Sequence, residues 1–170
     1  RCDGMSDEQT TVLATSLYHA LLMPNLLSDA DGSYPGFDDV TRVDEGAWHY
    51  TNLSLWDTYR TLHPLLSLTH PGVQRDVVVS LLAMADEGGW LPKWPVANGY
   101  SNVMIGAPAD IVIAESYVKG LTDFDVASAL EHMLRMATEA PPADHPYEGR
   151  GGIASYVANG WVADDQHDES

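Results

Sequence analysis

The stretch "SLWDTYR", Ser54 to Arg60, sets a serine, a tryptophan, an aspartate and an arginine close together at the start of an apolar run. A carboxylate beside an aromatic face, held by an arginine, is a good acceptor for two adjacent sugar hydroxyls while the ring stacks on the sugar C–H face. The same residues have a complete structural explanation. Ser54 and Asp57 satisfy the S-x-x-[DE] capping box at a helix start, and Asp57 with Arg60 at i, i+3 makes an ordinary helix-face ion pair. On these residues alone both readings stay open.

Other chemistries are excluded by spacing. "SDADGSYPGFDD", Ser28 to Asp39, alternates aspartates before a glycine as a calcium loop does. Counted from Asp29, however, glycine falls at position 4 and Val40 at position 12, where an EF-hand needs glycine at 6 and glutamate at 12. A turn opening a β-hairpin, flanked by Tyr34 and Phe37, is the better reading. His19, His49, His63, His70, His132, His145 and His167 form no H-x-x-x-H or H-E-x-x-H pair. No G-x-S-x-G elbow or phosphate-binding glycine loop is present. Each lone histidine reads as structural or solvated.

Helical periodicity must position whatever remains. It predicts helices over Asp7 to Met23, stopped by Pro24, and over Ser54 to Leu68, broken near His63 by Pro64. Val73 to Ala85, apolar nearly all round, reads as a helix buried on several sides. Further helices are expected over Asp110 to Lys119, stopped by Gly120, and over Asp123 to Thr138, with Thr122 and Asp125 as a capping box. A short one over Gly152 to Ala158 is closed by Asn159-Gly160. Long and short links alternate between these helices, the pattern of stacked helical hairpins with every long link at one end. Long structureless links inside a domain are usually functional. These hold Trp48, His49, Tyr50, Trp90, Lys93, Trp94, Asn98, Tyr100 and Asn102, a mixture suited to a sugar. The alternative is that the rings only anchor the loops.

Composition bounds the partners. Twenty-five acidic against eight basic residues give a formal charge of −17, which argues against nucleic acid and anionic membranes, since both need basic patches. Cys2 is the only cysteine, so no internal disulfide and no cysteine-based zinc site can form. No apolar run approaches the ~20 residues of a membrane span, and "RCDGMSDEQT" lacks the apolar centre of a signal peptide. Both ends read as cut, so a fragment is expected.

Four blocks in order, "SLYHALLMPNLLSDADGSYPG", "YTNLSLWDTYRTLHPLLSL", "SLLAMADEGGWLPKWPVANGYSNVMIG" and "IAESYVKGLTDFD", resemble glycoside hydrolase family 92, the calcium-dependent exo-α-mannosidases. The resemblance runs from about Leu17 to Asp165. It implies an all-α fold: residues 1–170 would be about half of an (α/α)6 barrel of stacked helical hairpins, with a small β-hairpin in a long loop. The second half of the barrel and the family's β-sandwich domain are absent. It also implies removal of terminal α-linked mannose from glycans by single displacement with inversion. That chemistry needs two carboxyl groups about 6.5–9.5 Å apart, one protonating the leaving oxygen and one activating water. The family's E-G-N-x-W-Q-Y and G-N-D-D-x-G motifs, which carry the acid and the base, do not occur here. "GWVADD", Gly160 to Asp165, resembles the "GYVPxD" that precedes them. No catalytic residue and no metal ligand is therefore assigned, and calcium is expected to be held mostly by residues after Ser170.

What the resemblance assigns instead is substrate-binding wall. Trp56 and Asp57 match the family's mannose-facing W-D, with Arg60 added by spacing, and Trp94, Asn102 and Met104 match the block lining the leaving-group side. "MIGAPA" stands where relatives often have "MIGDHA", so Ala107 and Pro108 replace an acid and a histidine, and Glu115 replaces an aspartate. The expected partners are a mannose-containing glycan and the rest of the catalytic domain, with no nucleic acid and no membrane span. The expected location is extracellular or periplasmic. Two other readings remain: a non-catalytic glycan-binding protein on the same barrel, or another (α/α)6-barrel glycosidase.

Overall fold

A computed structural model describes residues 3–145 and 148–163. Cys2, His167 and the Asp164-Asp165 end of the GWVADD block lie outside the described residues. Helix α1 (Asp7–Ala20) starts with a full capping box, the Ser6 hydroxyl accepting from the Gln9 amide and the Gln9 side chain accepting from the Ser6 amide. It ends at Ala20 rather than Met23, and none of its residues is buried. The Leu13–Leu17 stripe is thus left more than a third exposed.

The first long link carries four short strands: β1 (Asn25–Leu26), β2 (Ser33–Pro35), β3 (Thr41–Val43) and β4 (Tyr50–Thr51). β2 pairs antiparallel with β3, and β1 with β4. The Asp31-Gly32 turn opens β2, with the Asp31 carboxylate accepting from the Ser33 amide. The strands themselves are joined across Gly36 to Val40. The one expected hairpin is therefore one of three ladders among the described residues, the third pairing β5 (Pro95–Val96) with β6 (Gly99–Tyr100).

The helix expected from Ser54 to Leu68 is two helices, α2 (Leu55–Thr58) and α3 (Leu62–Thr69). Pro64 sits in the first turn of α3, where its missing N–H costs nothing, so the break falls before it. The central helix is α4 (Pro71–Gly88), with proline in its first turn and left-handed Gly89 as its C-cap. Its buried Val77, Val78, Leu81, Leu82, Met84 and Ala85 form the axis of the core. It packs on α3, on α5 (Pro108–Val118) and on α6 (Val126–Thr138), while α7 (Ile153–Asn159) packs on α6. Asp125 alone caps α6, accepting from the Ser128 amide at 2.9 Å. The expected box with Thr122 does not form, because the helix begins at Val126 and leaves Thr122 too far upstream to reach it.

The two long links meet at one end of α4. Glu87 in its last turn accepts from the Tyr34 hydroxyl and the Phe37 amide of the first link. The Thr51 hydroxyl donates to the Ala97 carbonyl, the Ala97 amide donates to the Asn52 side chain, and the Asn98 amide group reaches Gly36 and Asp39.

Candidate functional site

Asn52 leads into the Trp56–Asp57 turn with φ +57, a left-handed conformation that asparagine tolerates better than most residues. Its side chain bridges Asn25 and Ala97, which fixes the backbone just before α2. Leu55, fully buried, plugs this single turn into the core. Trp56, 38% exposed, and Asp57 point away from that anchor.

The expected cap on α2 does not form. The Ser54 hydroxyl donates to Asp57 Oδ2 at 2.6 Å instead of accepting from a backbone amide. With Ser54 at ψ 65 rather than extended, its side chain lies over the carboxylate and not over the free N–H groups. The expected Asp57–Arg60 pair is also replaced. The Arg60 guanidinium lies over the Trp56 ring at 4.4 Å and the Tyr59 ring at 4.7 Å, a cation–π arrangement that orients the indole. One Asp57 oxygen is thus occupied by Ser54, and the exposed carboxylate stands beside a ring fixed by an arginine.

Trp94, Asn102 and Met104 lie in the second long link. Trp94 is half-buried and Asn102 exposed. Asn102 and Met104 both have left-handed backbones, φ +56 and +74, an uncommon conformation for methionine that the surrounding fold must impose. No hydrogen bond, ion pair or ring contact among the described residues joins these three to Trp56, Asp57 or Arg60. The two groups belong to links stitched together through Thr51, Asn52 and Ala97.

Several other loop residues are structural. Trp90 is buried at 3% exposure, with Arg135 over its face at 4.5 Å and the Tyr100 hydroxyl bonded to both its amide and its carbonyl. Burial pushes the Tyr100 phenol well above its usual range. His49 stacks on Tyr34 at 3.7 Å and bonds Asp44. Trp48, by contrast, is exposed at the rim of a recess of about 550 Å³ with Asp31, Asp44, Glu45 and Asp76. For Trp90, loop anchoring is the correct reading, whereas Trp56 and Trp48 are exposed.

Two features had no signal in the sequence. Asp110, in the first turn of α5, has one carboxyl oxygen buried without a partner. Burial pushes it up to about 7, and the Arg150 guanidinium draws it back only partly. A buried polar chain also runs behind α2 through His63, Gln74 and Ser116. Among the described residues no three of His, Cys, Asp and Glu come together as a metal site.

The Glycosyl hydrolase family 92 catalytic domain matches residues 1–170. An inverting mannosidase of family GH92 from Bacteroides thetaiotaomicron VPI-5482 superposes with a TM-score of 0.85 at 30% identity, over 96% of this chain and 22% of that one. A family GH92 α-mannosidase from Bacteroides thetaiotaomicron, in complex with mannoimidazole, gives a TM-score of 0.77 at 29% identity, over 98% of this chain and 24% of that one. A secreted glycosidase from Arthroderma benhamiae is 34% identical over 94 residues, 55% of this chain and 12% of its own length. The chain thus spans less than a quarter of the length of each of these relatives. With the match running over all of its residues, the chain belongs to the glycosyl hydrolase family 92 catalytic domain.

Proposed function

We propose that the chain is part of a secreted exo-α-mannosidase and supplies one wall of its mannose-binding site. The barrel half, the exo specificity and inversion are part of this reading. The observation that carries it is the Trp56–Asp57–Arg60 unit: an exposed carboxylate held on one side by Ser54, next to an indole oriented by a guanidinium. The free face of Asp57 accepts from a pair of sugar hydroxyls while Trp56 takes the apolar sugar face. Arg60 keeps the indole in register by lying on it. Trp94, Asn102 and Met104 contribute the leaving-group side, Asn102 and Met104 from left-handed backbone positions.

The general acid and base, 6.5–9.5 Å apart as inversion requires, are assigned to other parts of the protein. Calcium is proposed on the resemblance alone, with its ligands outside the described residues. A mannosidase neighbour bound to mannoimidazole and a secreted relative support the substrate class and the location.

The test uses the full-length protein with an α-mannoside. Mannose is released with inversion, and a chelator abolishes the release. Asp57→Asn lowers kcat/KM by about 100-fold or more, as loss of a charged hydrogen bond to substrate does, while stability changes by less than about 1 kcal/mol because Asp57 holds no cap. Normal kinetics in Asp57→Asn would remove the mannose assignment from this turn.

A further inference from the structure

Helix α2 is a single turn of four residues. A helix that short does not hold itself in water, and Ser54 gives it no side-chain cap. Behind it lies an unbroken polar chain through the core. The Thr58 hydroxyl, on α2, lies 3.0 Å from His63 Nε2 at the start of α3. His63 Nδ1 lies 2.9 Å from Gln74 Oε1 on α4, and Gln74 Nε2 donates to Ser116 Oγ on α5 at 2.9 Å. His63, Gln74 and Ser116 are each completely buried.

The direction of the inner bonds follows from counting hydrogens. Ser116 has one hydroxyl hydrogen and gives it to the Val112 carbonyl at 2.7 Å. Ser116 must therefore accept from Gln74, whose amide is oriented by that demand. The Gln74 carbonyl then faces His63, so Nδ1 of the neutral ring carries the hydrogen and Nε2 is left as an acceptor. Burial favours that neutral ring. Among the described residues the hydroxyl facing Nε2 is that of Thr58, which lies 3.0 Å from both Nε2 and the Ser54 carbonyl and divides its one hydrogen between these two acceptors. The chain thus runs from a serine on α5 to the turn that bears Trp56 and Asp57.

We propose that His63, oriented by Gln74 and Ser116, is a positioning residue that locks the α2 turn through Thr58 and so sets where Trp56 and Asp57 meet the sugar. A histidine present only to fill the core needs no continuous path to an exposed turn. This path ends on the residue next to Asp57. Thr58 Oγ1 also lies 3.0 Å from the Ser54 carbonyl, and Ser54 grips Asp57 through its own hydroxyl. The inference rests on the reading of Trp56 and Asp57 as mannose-binding, and its test is built to fail separately from that reading.

Thr58→Val in the full-length protein keeps the volume and removes only the hydroxyl that His63 holds. With an aryl α-mannoside, KM is expected to rise about tenfold with kcat within about twofold, the pattern of lost ground-state binding. The melting temperature should move little, and Thr58→Ser, which restores the hydroxyl, should return KM to the wild-type value. A lowered melting temperature with unchanged KM would overturn the proposal, leaving a histidine that only packs. Ser116→Ala, at the far end of the chain, is the second variant should Thr58→Val not fold. It releases the Gln74 amide, and a KM raised about two- to fivefold is expected; an unchanged KM counts against the lock. Asp57→Asn separates the two ideas: if it leaves kcat/KM untouched, the sugar assignment itself is wrong. If it lowers kcat/KM while Thr58→Val leaves KM unchanged, only the lock is.

Discussion

At the scale of single residues, the chemistry visible in the sequence and the chemistry decided by the fold divide at Asp57 and Asp110. Asp57 stood out as a candidate because a tryptophan precedes it, an arginine follows three residues on, and the pair matches the family's W-D. Its partner was not legible, since whether Ser54 caps a helix or grips a carboxylate depends on a backbone angle that spacing does not encode. Asp110 had no signal at all. Its burial is made by elements distant in sequence, and it leaves one oxygen stranded. Because burial raises its folded-state pKa to about 7, its stabilising effect is full below its ordinary 3.8 and is lost as pH rises toward 7. Asp110→Asn should therefore stabilise the full-length protein more at pH 8 than at pH 5, by about 1–3 kcal/mol at the higher pH, the usual cost of a stranded buried polar group. His63 works in the opposite sense. Burial keeps it neutral when folded, so stability is full above its usual 6.5 and falls as pH drops below it. That effect is common to both proteins and cancels in the difference. Equal gains at the two pH values would mean that Asp110 is ionised in the native state.

At the scale of elements, punctuation residues were the most reliable guide. Pro71 opens α4, Gly89 and Gly120 adopt the left-handed angles that stop α4 and follow α5, and Pro64 forces the break between α2 and α3. The alternation of long and short links placed both loops at one end, and the hydrogen bonds from Thr51, Asn52 and Asn98 show them joined there. What periodicity missed were the short ladders, whose two- and three-residue strands are below the length at which alternation can be read. It also read two caps, at Ser54 and Thr122, where the structure has none. The hairpin of β2 and β3 depends on one glycine that sequence did mark. Gly32 has φ +82, and a Cβ there would run into the Asp44 carbonyl backbone. Gly32→Ala combines strain with collision, and a loss of about 2–3 kcal/mol is expected. The loss should show as proteolytic cleavage between residues 28 and 47 before the rest of the fold opens. An uncut hairpin would place the turn's stability elsewhere, in the Asp31 and Asp44 side-chain bonds.

At the scale of the whole molecule, one face is apolar and exposed. Ile113, Tyr117, Phe124, Leu130 and Met133 line a recess of about 280 Å³ between α5 and α6. Val118 beside it is 83% exposed, and Leu130 and Leu134 are more than half exposed. Contiguous apolar surface of this kind marks an interface, and the mannosidase neighbours are more than four times longer than the chain that matches them. Opposing it is the formal charge of −17, which keeps copies apart at long range. The 170 residues expressed alone should therefore respond to salt. At about 0.02 M ionic strength, repulsion reaches well beyond contact distance, so the piece stays monomeric while binding an apolar dye. At about 0.5 M the screening length falls to roughly 4 Å, short of the recess, and the apolar faces of two copies can meet. Light scattering should then report association that rises with salt and reverses on dilution, with no turnover of a mannoside at any salt. The full-length protein should show neither dye binding nor salt-driven association. A piece that stays monomeric at every salt and binds no dye would mean that α5 and α6 close on themselves and need no further chain to cover them.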